Sequence, residues 1–327
     1  MKLFSRLLLF GVYAGVGLFA TISTSSAQQS YPNKPIRLIA PSSPGGPVDV
    51  ITRIIAQGWS EALGQQIVID NRAGAAGMIG TDLVAKAAPD GYTLLLGFSG
   101  PLVIVPQLND STPYDTLKDF APVSLAASAP YVLLVHPSVP AKSVQELVAL
   151  AKSRPGKLNF ASGGTGTGIH MAGELFNLAV GVRIVHVPYK GAAPGMTALM
   201  AGEVDMMFNG LSPVLPHLKT DKLRALAVGG EKRSPLVPDL PTISESGFQF
   251  NTSGWYAVLA PKGTPRPILS KLHATLLQAL KAPTTKERLT EIAVETIGST
   301  PEELARRLRE ETATWGKVIK AAGLKGK

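Results

Sequence analysis

Apolar and polar positions follow two rhythms along this chain. PIRLIA (35–40) is a short continuous apolar run of the kind that forms a buried strand, and Val50, Ile51, Ile54, Ile55, Trp59, Ala62 and Leu63 then recur at helical spacing as far as Gly64. QIVID (66–70) predicts a second strand. The glycine-rich NRAGAAGMIG opens a helix running to Ala88, and Pro89-Asp90-Gly91 turns the chain into the strand YTLLLG. This βαβαβ order predicts a parallel sheet covered by helices. From about residue 128 the same order resumes: strand YVLLVH, helix SVQELVALAKSR, strand LNFAS, a loop and its helix, strand RIVHV, a helix near 193–202, and strand VDMMF. LRALAVGG (223–230), a proline-rich passage, WYAVLA and helices near 265–281 and 301–321 follow, with no short-period repeat and no low-complexity tract.

In sheets of this kind ligands bind outside the carboxyl ends of the strands. Three loops follow predicted strands and are rich in glycine, proline and serine: PSSPGGPVD (41–49), GFSGP (97–101) and the loop inside NFASGGTGTGIHMAGELF (159–176). In the third, glycines permit positive φ and close approach to the main chain, and the next helix offers unpaired N–H groups and a partial positive charge. That composition suits an anion cradle. It equally suits a plain strand-to-helix turn, and the loop alone leaves the two readings level. A P-loop is excluded because Ile169 and His170 follow Gly168, and the dinucleotide fingerprint lacks its third glycine at Ile169. A serine-hydrolase elbow is excluded by Phe160 in one loop and by Pro101 in the other.

The N-terminus changes the picture most. Lys2 and Arg6 precede an apolar stretch from Leu7 to Ala20, and small residues end in Ser25-Ser26-Ala27, the pattern of a secretory signal peptide cleaved after Ala27. With no cysteine there is no disulfide, thiol nucleophile or lipid attachment at a cysteine, so the mature chain is expected free in the periplasm, without stable membrane insertion. Removing Lys2 and Arg6 takes the formal net charge from +9 to +7, spread without a long basic run, which argues against a nucleic-acid partner. The five histidines lack metal-ligand spacing, so neither a metal nor a cofactor is expected.

PSSPGGPVD, DNRAGAAGMIG, PDGYTLLLG, ASGGTGTGIHMAGE, HVPYKG, GEVDMMF and PDLPTISESG, in that order from about Tyr31 to the C-terminus, resemble the Bug family, the extracytoplasmic solute receptors of tripartite tricarboxylate transporters. The resemblance implies an α/β, two-lobed periplasmic binding protein fold (a Venus flytrap of type II-like form) whose chain crosses the hinge twice. Lobe one would hold residues 28–126 and 225–327, and lobe two residues 127–224. It implies a monomeric receptor, not an enzyme, that holds a small carboxylate between the lobes and passes it to the transporter's membrane components. In the family pattern Gly-Ser-x-Gly-x-Gly-Ser-x-x-His the matching residues are Ala161, Ser162, Gly164, Gly166, Thr167 and His170, with Ala161 and Thr167 as the departures. Lobe one would contribute Ser42, Pro44, Gly45 and Gly46, where many members carry an aromatic residue at the position of Ser42.

Ser99 and Thr165, within the candidate loops, and Tyr189, at a strand end, complete the expected ligand contacts, and Asp205 in GEVDMMF would order a water or an amino group there. Asp49 is expected to cap a helix, and His170 to be a neutral structural residue. No catalytic residue is assigned. The competing readings are a secreted hydrolase built on Asp49, Asp205 and His170, which lacks a paired nucleophile and base, and a co-receptor for a sensor protein.

Overall fold

The computed structural model describes residues 31–325, apart from 43, 46, 190, 191 and 221. The expected signal peptide lies outside the described residues. In chain order the elements are β1 (Ile36–Ala40), α1 (Pro47–Leu63), β2 (Ile67–Asn71), α2 (Met78–Ala85), β3 (Thr93–Phe98), α3 (Val105–Leu108), β4 (Phe120–Val135), α4 (Val144–Ser153), β5 (Asn159–Ser162), α5 (Gly168–Val180) and β6 (Val185–Pro188). They continue as α6 (Ala192–Met200), β7 (Met206–Gly210), α7 (Leu211–Val214), β8 (Arg224–Val228), β9 (Ser253–Pro261), α8 (Arg266–Lys281), α9 (Pro283–Glu291), β10 (Glu295–Thr296) and α10 (Pro301–Ala321).

One strand joins everything. The path β2-β1-β3-β9-β4-β7-β5-β6 runs through β4, whose first part pairs with β9 and whose last five residues pair with β7 and β8. The sequence predicts only YVLLVH as this strand, yet it is 16 residues long. Pro122 and Pro130 hide its beginning, because proline cannot donate to a ladder and reads as a breaker. Pro122 is accommodated at a register shift, between Pro122 and Ser124.

Each part of the sheet carries its own core. On one side Ile36, Leu38, Leu94, Leu96 and Val258 pack beneath α1 and α8, and on its other face Leu95, Trp255 and Leu259 pack beneath α10. Beyond the crossing, Leu133, Phe160, Phe176, Met206 and Phe208 form a separate core under α4 and α5. Leu226, Ala227, Ile243 and Phe250 belong to that second core, so β8 and the proline-rich passage stay with it. The sequence places the return at 225; in the structure the chain rejoins the first sheet at Ser253, where β9 begins beside Pro130. The two crossing segments are tied together, since Gly229 N–H donates to the Tyr131 carbonyl and Thr252 N–H to the Gly229 carbonyl, each at 2.8 Å.

Helix ends follow local chemistry. Thr300 and Glu303 form a reciprocal capping box that starts α10. Thr167 caps α5, and Gly181, in the left-handed region at φ 66°, ends it. No helix among the described residues is long and apolar enough to cross a membrane.

Candidate functional site

β1 and β3 are parallel neighbours, so the segments that follow them, beginning at Pro41 and at Ser99, emerge side by side. Gly77 lies between them: a Cβ there would meet the Pro41 carbonyl at 3.2 Å and Pro101 at 3.0 Å. Asp49 organises the first loop. It is 2% exposed and sits in the first turn of α1, where it accepts from Gly45 N–H at 2.8 Å, Asn71 Nδ2 at 3.0 Å and Arg53 Nε at 3.0 Å. Burial would raise its carboxyl, but these donors bring it below the usual range. It therefore reaches back to the loop from inside the helix instead of capping it from outside. Gly45, at φ 77°, and Pro44 are exposed, and Gly46 lies outside the described residues. Ser42 is tethered through its main chain, its N–H to the Ala40 carbonyl and its carbonyl to Asn71 Nδ2. Its buried hydroxyl has no hydrogen-bond partner among the described residues.

The loop after β5 is more tightly built. Ser162 is fully buried; its Oγ accepts from Gly164 N–H at 3.0 Å and lies 2.6 Å from His186 Nε2. Thr167 Oγ1 donates to the Gly164 carbonyl at 2.8 Å and accepts from His170 N–H at 3.3 Å. Gly166 N–H donates to His170 Nδ1 at 3.1 Å. Both hydroxyls that the sequence assigns to a ligand thus hold the loop together. The N–H groups left facing outward by helix geometry are those of Gly168 and Ile169, the first two residues of α5, and no acidic side chain stands in that first turn. Thr165 is exposed at the tip.

The two parts of the molecule meet at this helix end. A Cβ on Gly168 would lie 2.2 Å from Tyr131 Oη and 3.5 Å from Ser99 Oγ, and one on Gly166 would lie 2.9 Å from Leu108. Ser99, 5% exposed, is hydrogen-bonded to the Tyr131 hydroxyl, whose ionisation is pushed up mainly by burial. Tyr131 is the first residue of β4 beyond Pro130, at the crossing itself. Close by, Glu311 of α10 accepts from Trp255 Nε1 at 2.8 Å and pairs with Arg307 at 2.7 Å, bracing the helix that packs on α5.

The expected residues therefore divide. Ser99 joins Gly164, Thr165, Gly166, Thr167 and the buried Ser162 around one helix end, while Ser42, Pro44 and Gly45 lie on the neighbouring loop. Tyr189 is adjacent through its main chain, its N–H donating to the Ser162 carbonyl at 3.1 Å, while its side chain leans on the core beneath α6. Asp205 is elsewhere. It precedes β7, and its Oδ2 accepts from Asn159 N–H at 2.8 Å, at the amino ends of strands whose carboxyl ends carry the loops. A short polar residue before a strand serves the turn, and that role displaces the expected ligand contact. Tyr131, Gly168, Glu174 and His186 were missed. Tyr131 and His186 sit inside elements whose sequence reads as ordinary strand, and only the fold brings them to the loop, whereas Gly168 continues the loop itself and Glu174 lies one helical turn beyond His170. Two cavities, of about 460 and 340 Å³, lie beside α3 and α10, away from these loops. Among the described residues no group of three or more His, Cys, Asp or Glu is placed to hold a metal.

Residues 51–324 match the model of the tripartite tricarboxylate transporter family receptor. BugT of Bordetella pertussis (strain Tohama I) is 38% identical, over 95% of this chain and 97% of its own. The solved structure of Rpa4515 from R. palustris with adipate is 37% identical at a TM-score of 0.80, covering 90% of this chain and 98% of its own. MatC (Rpa3494) from Rhodopseudomonas palustris, solved with bound malate, is 33% identical at a TM-score of 0.77, covering 88% and 100%. The sheet described above has the two-lobed form of these periplasmic binding proteins.

Proposed function

The chain belongs to the tripartite tricarboxylate transporter receptor family, and from that premise we propose that it captures a small di- or tricarboxylate, or another organic or amino acid, in the periplasm and delivers it to the membrane components of such a transporter. The family is one of solute receptors, not enzymes. The observation that carries the ligand reading is the α5 N-terminus, free of acid in its first turn and set against Ser99 and Tyr131 from the crossing. A ligand carboxylate placed there takes N–H donors from Gly168 and Ile169, and the other lobe closes on it with Ser99 and the 42–46 loop. Thr165, at the tip of the same loop, has no assigned contact in the described residues and is the side chain available for the ligand's rim. The adipate and malate bound by the two relatives support a carboxylate of that size.

The magnitudes are sufficient without an arginine. A micromolar ligand needs about 8 kcal/mol, and hydrogen bonds to a charged group contribute roughly 1.5–3 kcal/mol each, so three or four donors reach it before the cost of closing is deducted. Closure is expected between one lobe of residues to about 126 together with the returning C-terminal part, and a second lobe between them, the protein acting as a monomer. Export with cleavage after Ala27 completes the proposal; intact mass of the released protein beginning at Gln28 checks it, and a membrane-retained chain still carrying Met1 refutes it. The binding itself is tested by calorimetry with adipate, malate and citrate. Saturable binding of one of them is expected, and no heat from any of these or from a wider panel of organic acids rejects the carboxylate assignment.

A further inference from the structure

Beneath the loop after β5 lies a histidine pair that carboxylate binding itself does not call for. His170 is fully buried, and its ring centroid stands 3.9 Å from that of His186, the planes inclined by 32°. Phe160 closes the stack, 5.0 Å from His186 and 6.3 Å from His170. Each imidazole holds one end of the loop: His186 Nε2 meets Ser162 Oγ at 2.6 Å, and His170 Nδ1 accepts from Gly166 N–H at 3.1 Å. An acceptor at Nδ1 means that the proton of His170 is on Nε2, which faces Glu174 Oε1 at 3.6 Å.

We propose that His170 and His186 are positioning residues for the ligand loop: as a neutral pair they fix residues 162–168 in the receiving shape, and a proton taken up at His170 Nδ1 unlatches that loop and releases the ligand. This rests on the reading of the loop as the ligand site. Protonation at Nδ1 replaces the acceptor for Gly166 N–H by a second donor, so the two groups repel and the glycine, held at φ 81°, loses its tether. The groups around the pair act in both directions. Glu174, on α5 itself, favours a charged His170, whereas His186 from β6 opposes one. β5 contributes only Ser162 and Phe160, and from α10 Arg307 and Glu311 are already paired with each other. Tyr131, toward the helix end, stays neutral, its ionisation raised by burial. The pair cannot hold two charges at 3.9 Å, and the carboxylate of Glu174 stands 3.6 Å from His170 Nε2, so His170 is the member of the pair with a counter-charge at hand.

The test is a titration of isotope-labelled protein from about pH 8 to about pH 4, read by imidazole ¹⁵N shifts and by the Gly164, Gly166 and Gly168 amides. Expected are an Nε2–H tautomer for His170 at neutral pH and loop amides that move together as His170 takes up its proton. His170→Asn keeps an acceptor near the Nδ1 position but cannot titrate, so its loop amides hold their neutral positions throughout. His170→Phe keeps the ring stack without the acceptor, so its loop loses that pattern at every pH. With adipate and malate as probes and the pH kept above the acids' own titration, affinity falls severalfold on acidification of the wild type and less than about twofold in His170→Asn. A His170 carrying its proton on Nδ1 at neutral pH, or loop amides in His170→Asn that follow the wild-type pH profile, overturns the proposal. If neither probe binds at any pH while the loop amides follow His170, the latch stands and the choice of ligand is what fails.

Discussion

Gly168→Ala puts the junction between the lobes under direct stress. At the first position of α5 the backbone accepts alanine, and exchanging glycine for alanine favours a helix by about 0.8–1 kcal/mol in an interior position. The new Cβ, however, would stand 2.2 Å from Tyr131 Oη, 3.3 Å from its Cζ and 3.5 Å from Ser99 Oγ. An ordinary contact needs more than an ångström of retreat by a hydroxyl bonded to Ser99, and overpacking of that kind costs about 1–3 kcal/mol. Tyr131 pairs with Gly210 in the same part of the sheet as β5 and packs on the core beneath α5, so the clash stays with α5, and the displaced hydroxyl pushes on Ser99 from the neighbouring part. Urea unfolding free energy of the free protein should therefore fall by about 1–3 kcal/mol, and affinity for the best-binding acid of the calorimetric panel should fall about fivefold or more, because Tyr131 Oη no longer holds Ser99 in place. Tyr131→Phe removes Oη and leaves the ring carbon at 3.3 Å, so the double variant Gly168→Ala/Tyr131→Phe should recover most of the loss. Calorimetry on the four proteins of this cycle supplies the numbers. Wild-type affinity in Gly168→Ala, or additive losses in the double variant, would show that the Tyr131–Ser99 contact at the α5 N-terminus takes no part in binding.

Three further outcomes are expected. His186 has an ordinary value of 6.5 and a folded value of about 3, so the unfolded chain binds the extra proton between them: stability is full above pH 6.5 and declines as pH falls toward 3. The slope is at most about 1.4 kcal/mol per pH unit, and the total is of order 2 kcal/mol after discount for the half-buried ring; urea midpoints against pH for the wild type and His186→Gln should differ in slope over that window, and parallel curves refute the assignment. Asp49→Ala leaves Gly45 N–H and Asn71 Nδ2 without their acceptor, so unfolding free energy should drop by about 1–3 kcal/mol and Gly45 amide exchange should quicken; unaltered exchange refutes the tether. Thr300→Ala removes the cap of α10 and should cost about 1 kcal/mol in urea unfolding with ligand affinity unchanged, whereas an affinity loss beyond about twofold would tie that helix end to binding.

What could be read from the sequence was periodicity, and what could not was direction and distance. The helices at 47–63, 143–153 and 301–321 announce themselves through apolar spacing and caps, and α9 went unread because PTTKERLTE buries only Thr285 and Leu289. β4 was legible only after Pro130, where its residues become apolar without interruption. The family resemblance puts LRALAVGG at the return to lobe one, whereas β8 pairs with Val132–Val135 of β4, a neighbour that no local pattern announces. In the site, glycines among hydroxyls mark a built loop, and the seven ordered motifs name its family. They do not say that Ser162 spends its hydroxyl on His186, 24 residues away, or that Asp205 stands at the wrong end of its strand, because both depend on which strand ends lie together.

The measurement closest to the central claim is an amide NMR titration of the released protein with adipate, malate and citrate, following Gly164 to Ile169 together with Ser42, Gly45 and Ser99. A carboxylate held at the α5 N-terminus between closing lobes predicts saturable shifts, largest at Gly168 and Ile169 and accompanied by Ser99 and the 42–45 loop. A bound acid that leaves Gly168 and Ile169 unmoved, with its shifts confined to other surfaces, would contradict it.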